Sequence, residues 1–116
     1  MNCQAQTPML LGVAAAIVLA FSLNASAADA DAAKMLAREN SCFKCHGIEK
    51  PKDGPSWKEV ADKYRGKAGA EERLIKHLTT GVKAKFPDGH EEEHKNIKDK
   101  ASPEAIKNLV DFILSL

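Results

Sequence analysis

Cys42-Phe43-Lys44-Cys45-His46 decides how this chain folds. Two thiols three residues apart, with an imidazole directly after the second, form the pattern of covalent c-type haem attachment. Each thiol adds to one haem vinyl group, so the loop spans one edge of the macrocycle. His46 then lies beneath the ring, its nitrogen placed to bind iron as the proximal ligand. Other uses of the pair read less well. A thioredoxin-like couple wants a βαβ pattern around it, and none is visible. A zinc site of thiolates alone wants a second pair, and the only other cysteine is Cys3. A structural disulfide is the third alternative.

Upstream, residues 1–27 contain no Lys, Arg, Asp or Glu and carry an apolar run from Met9 to Phe21, followed by Ala25-Ser26-Ala27. This reads as a secretory signal peptide cut before Ala28, although its first residues lack Lys and Arg. The run is shorter than the roughly 20 residues a membrane span needs, so no stable anchor is expected. Export places the mature chain, residues 28–116, in the periplasm. It is one small domain, of a size that gains from a cofactor to pack around. Its charge is nearly balanced, 17 basic against 16 acidic residues, a net +1. That lacks the basic bias of a nucleic-acid binder.

Between the motif and the ends, breakers separate helical stretches. Asp29 to Glu39 is rich in helix formers, with Asn40 as a stop just before the motif. Pro51, Gly54 and Pro55 mark an irregular stretch, after which Ser56-Trp57-Lys58-Glu59 reads as a capping box. Trp57, Val60, Ala61 and Tyr64 follow as one apolar stripe. A third helix begins near Ala70 and turns Leu74, Ile75 and Leu78 inward until Gly81. His77 lies off that stripe and is expected to be exposed. Lys83 to Lys100 reads as a polar loop with one helical turn over His90 to Asn96. Ser102 and Pro103 open a last helix that buries Ile106, Leu109, Val110, Ile113 and Leu114, with Phe112 at its margin. No strand is expected, so the fold class is all-α, about four short helices.

The helix leading into Asn40-Ser41-Cys42-Phe43-Lys44-Cys45-His46, then Gly54-Pro55-Ser56 with Val60 and Lys63-Tyr64, and the closing Leu109 to Leu114 together resemble the small bacterial class I cytochromes c. The resemblance covers essentially the whole mature chain. It implies the class I cytochrome c fold around one covalently bound haem c, with the terminal helices crossing. It also implies that Pro55 offers its backbone carbonyl to the proximal imidazole. The family's usual sixth iron ligand is a Met in the loop before the last helix, and here the sequence departs. The mature chain has only Met35, in the first helix.

The Lys83–Lys100 stretch offers His90, His94 and Lys95 in that position. Counting back from Ser102 to where the family places its ligand arrives at His94. His90 is the alternative, and Lys95, water or an open site follow. His90-Glu91-Glu92-Glu93-His94 also matches the H-E-x-x-H zinc pattern, but a metalloprotease would need a third ligand, a cleft and a larger fold.

The leading function is therefore a soluble one-electron carrier, not an enzyme, docking briefly with redox-partner proteins at an exposed haem edge and working as a monomer. Lys44, Lys83 and Lys85 are candidates for a basic rim there, and Glu91 to Glu93 for an acidic patch. A haem protein with a displaceable distal ligand, used for gas sensing or peroxide chemistry, is the alternative. A haem subunit of a larger oxidoreductase is a third reading.

Overall fold

The computed structural model describes residues 27–116. The expected signal peptide, Ala27 apart, and Cys3 lie outside the described residues. The elements run α1 (Ala30–Glu39), a 3₁₀ turn (Cys42–Lys44), α2 (Trp57–Tyr64), α3 (Ala70–Thr79), β1 (Lys83–Lys85), β2 (Glu91–Glu93) and α4 (Pro103–Leu114). No helix among the described residues is long and apolar enough to cross a membrane.

Three of the four helices, α1, α2 and α4, start at a side-chain cap, whereas α3 follows Gly69 without one. Asp29 accepts a hydrogen bond from the Ala32 N–H, and Ser102 accepts one from Ala105 ahead of Pro103 in the first turn of α4. Ser56 and Glu59 close the capping box of α2 reciprocally, at 3.1 and 2.7 Å. α1 ends at Asn40, whose side-chain amide folds back onto the Leu36 carbonyl at 2.9 Å. Ser41 then adopts φ +60°, a left-handed conformation uncommon outside glycine, and swings the chain into the thiol loop.

The core lies between α1 and α4. Ala33 and Ala37 are fully buried and small, so the backbone of α1 approaches the apolar stripe of α4, where Ile106, Leu109, Val110 and Ile113 are buried. The start of α1 is also tied to α4 by a reciprocal pair. The Asp29 N–H donates to the Asn108 side-chain oxygen at 2.8 Å, and the Asn108 amide donates to the Asp29 carbonyl at 2.9 Å. Phe112, expected at the margin of the stripe, is buried and meets the edge of Trp57 at 6.2 Å. A long aromatic reaches the core from a flanking position that a shorter side chain would leave in water.

The Lys83–Lys100 stretch departs from its expected form. It contains an antiparallel hairpin, Lys83 opposite Glu93, Ala84 opposite Glu92 and Lys85 opposite Glu91. No helical turn forms over His90 to Asn96. Opposite charges facing across two strands stabilise the pairing. Phe86 N–H to His90 carbonyl, and Gly89 N–H to Phe86 carbonyl, close the Pro87-Asp88-Gly89 turn at 2.9 Å each. The all-α class otherwise stands, with four helices and this small hairpin appended.

Candidate functional site

The helices and hairpin surround a cavity of about 800 Å³. Cys42, Cys45, His46 and Pro55 line one side, and His77 and His94 another. Its apolar wall includes Leu74, Ile97, Leu109 and Ile113.

The thiol loop is built locally. The His46 and Cys45 amides both donate to the Cys42 carbonyl, at 3.0 and 3.2 Å, closing the 3₁₀ turn so that both thiols stay on the cavity side. Both are half-buried and free. Burial pushes the Cys42 thiol above its ordinary pKa, an effect partly offset by the Lys95 ammonium. Lys52 donates to the Phe43 carbonyl at 2.5 Å, pinning the outer side of the loop.

His46 is fixed from behind. Its Nδ1 lies 2.7 Å from the Pro55 carbonyl oxygen, which can only accept, so Nδ1 carries the proton and donates it. Nε2 is left with a free lone pair directed away from that bond. Gly54 makes the approach possible. A Cβ built there would lie 2.7 Å from His46 Cε1 and 3.0 Å from Nδ1, closer than carbon atoms pack.

The free nitrogen of His94 is set in the same way from the other side. His94 Nδ1 donates to the Lys95 carbonyl at 3.1 Å, again freeing Nε2. Its backbone N–H donates to the Val82 carbonyl at 2.7 Å, and three residues on Ile97 donates to Leu78 at 2.8 Å. These bonds hold the segment after β2 against the end of α3. The His46 and His94 ring centroids are 6.1 Å apart. An imidazole–metal bond is about 2.0 Å long, so two rings on opposite sides of one ion have centroids about 6 Å apart. Two thiols, two imidazoles with free Nε2 atoms at that spacing, and a largely apolar cavity fit one covalently held haem.

His90 is placed elsewhere. It is exposed, with its nitrogens engaged by the Asp88 and Glu92 carboxylates, and its ring stacks on Phe86 at 4.4 Å. Lying at the hairpin turn, it does not line the cavity. The helix face required by the H-E-x-x-H zinc reading does not form, because Glu91 to Glu93 are a strand. Among the described residues, no three His, Cys, Asp or Glu side chains gather as a metal-ion cluster. Met35 is 59% exposed on α1, away from the cavity.

One cavity residue contradicts its expected place. His77 is half-buried and its ring lies 4.2 Å from that of His94. Burial first, then His94, His46 and Lys63, lower its pKa to about 4, so it is neutral at physiological pH. Burial is likewise the main cause that lowers the His94 pKa. Leu74, His77 and Leu78 follow at i, i+3 and i+4, a spacing that puts all three on one helical face. That spacing was the available signal. Of the basic-rim candidates, Lys44 and Lys85 border the cavity and Lys83 does not, while Lys63 and Lys95 join them.

The Cytochrome c family profile matches residues 30–116. Cytochrome c-551 of Allochromatium vinosum is 40% identical over 63 residues, covering 54% of this chain and 67% of that protein. Cytochrome c2 of Rhodocyclus tenuis is 33% identical over 81 residues, covering 70% and 88%. Among solved structures, the class 1 cytochrome MtoD from Sideroxydans lithotrophicus ES-1 is 78% identical with a TM-score of 0.76, covering 77% of this chain and 97% of that one. Wild-type cytochrome c552 of Nitrosomonas europaea is 29% identical with a TM-score of 0.58, covering 72% and 98%.

Proposed function

Since this chain belongs to the cytochrome c family, as a small monohaem class I member, we propose that it carries electrons in the periplasm through a haem held between His46 and His94. It is an electron carrier with one haem c, not an enzyme. The haem supplies the one-electron Fe(III)/Fe(II) couple. Every other part of the work falls to the residues of the chain.

Cys42 and Cys45 form the thioethers, and His46 is the proximal ligand. The Pro55 carbonyl holds the His46 ring upright and, by accepting its Nδ1 proton, makes Nε2 a stronger donor. His94 is the distal ligand. The single observation that carries this assignment is the 6.1 Å spacing of two rings whose Nδ1 atoms are both tied to backbone carbonyls. Both rings are tethered to backbone carbonyls, so they would need to reorganise little on either oxidation state of an iron held between them. Two imidazoles generally lower the potential relative to an imidazole and a thioether. Lys44, Lys63, Lys85 and Lys95 ring the cavity and form the edge at which redox partners dock transiently. Residues 1–27 direct export, residues 28–116 are the carrier, and it works as a monomer.

The test mixes the ferrous protein with carbon monoxide. A carrier with two held imidazoles forms the complex slowly or not at all. Rapid, complete binding would overturn the assignment in favour of a displaceable distal ligand and a sensing or peroxide-reacting role.

A further inference from the structure

His77 is the one imidazole in the cavity for which the electron-carrier reading has no use. It projects from α3, half-buried, and its ring lies 4.2 Å from that of His94 with the planes tilted by 53°. The His94 ring is tethered at one edge only, by its Nδ1 bond to the Lys95 carbonyl. That bond fixes which nitrogen faces the cavity but leaves the ring free to rock about it. His77 lies against that ring, carried on a helix whose Leu74 is packed in the core.

We propose that His77 is a positioning residue for the distal ligand: its ring packs against His94 and fixes the plane in which that imidazole meets the iron. This rests on His94 being the distal ligand. Ring packing, not a nitrogen atom of His77, does the work, so a flat apolar ring serves as well. The His46 and His94 ring planes are 48° apart, and on an iron held between them that angle would govern how the d-orbitals split and therefore the g-values of the ferric signal. A ligand held in one plane is also harder to displace than one that rocks.

The experiment compares wild type, His77→Ala and His77→Phe as ferric holoproteins by electron paramagnetic resonance, and as ferrous proteins by carbon monoxide binding. His77→Ala is expected to replace one low-spin signal by a broadened or shifted set, and to speed carbon monoxide binding about threefold to tenfold, the size of one lost aromatic contact. His77→Phe is expected to match wild type in both. An unchanged signal and rate in His77→Ala would overturn the proposal. So would a His77→Phe protein that behaves like His77→Ala, since the nitrogen would then matter. If His77→Ala yields no folded holoprotein, the Phe variant still decides, since any departure of its signal from wild type contradicts a role met by a ring alone. A wild-type protein that shows no bis-imidazole low-spin signal would instead remove the ligand assignment beneath it, a separate and visible failure.

Discussion

His46 and His94 face one another across the cavity with ring centroids 6.1 Å apart and planes tilted by 48°. Neither ring is placed by chance contacts. Each is turned by a backbone carbonyl that takes its Nδ1 proton, Pro55 for His46 and Lys95 for His94. Both Nε2 atoms are therefore the ones free to bind.

The two loop histidines separate cleanly in a variant pair. His94→Ala is expected to lose the low-spin ferric spectrum at neutral pH and to bind carbon monoxide readily in the ferrous state. His90→Ala is expected to keep both properties of wild type, because His90 is exposed at the hairpin turn and bound by Asp88 and Glu92. A high-spin His90 variant beside a low-spin His94 variant would reverse the assignment.

Gly54 supports the proximal side by having no side chain. A methyl group there would meet His46 Cε1 at 2.7 Å and the Cys45 carbonyl at 3.1 Å, so the ring or the loop has to move. Gly54→Ala is expected to lower stability by about 1–3 kcal/mol, the usual cost of overpacking a fixed site. Its denaturant midpoint should fall with an unchanged slope. A midpoint equal to that of wild type would show that the loop yields freely.

The sequence made the helices legible and the site only partly so. Caps at Ser56 and Ser102, the breakers at Gly54 and Pro55, and the stripe from Ile106 to Ile113 are local signals, and local physics settled those elements. The hairpin was not read, because Lys83–Lys85 and Glu91–Glu93 lack the apolar alternation that marks a half-buried strand. Their pairing rests on opposed charges and on the turn at Pro87-Asp88-Gly89, a combination that itself favours a turn. His77 was misplaced for a different reason. The spacing of Leu74, His77 and Leu78 puts its ring on the inward face, but an imidazole reads as a solvent-facing residue, and a cofactor cavity takes in a polar ring that a closed apolar core excludes.

The hairpin carries a pH-dependent element outside the cavity. The hydrogen bond with Asp88, then that with Glu92, raises the pKa of His90. A raised pKa in the folded state means that this stabilisation is complete below the unfolded value of about 6.5 and is lost as pH rises through the folded one. Nuclear magnetic resonance titration is expected to find His90 above the ordinary histidine value, and Asp88→Asn should bring it down. A His90 that titrates identically in both proteins would contradict the pairing.

Asn108 tests how the terminal helices are joined. Its side chain makes two hydrogen bonds to the Asp29 backbone, 2.8 and 2.9 Å long, at the start of α1. Asn108→Ala should cost about 1–2 kcal/mol, the net worth of two such bonds. Hydrogen exchange should quicken first at the N-terminal turn of α1. Uniform quickening across all helices would mean that the pair is not a local clamp.

The identity of the atom opposite His46 tests the whole account most directly. Near-infrared magnetic circular dichroism of the ferric protein separates bis-imidazole, imidazole–amine and imidazole–thioether haem by their charge-transfer bands. The account predicts the bis-imidazole band in wild type and its loss in His94→Ala. A wild-type band of the amine or thioether kind, or a high-spin water-ligated spectrum, would contradict it.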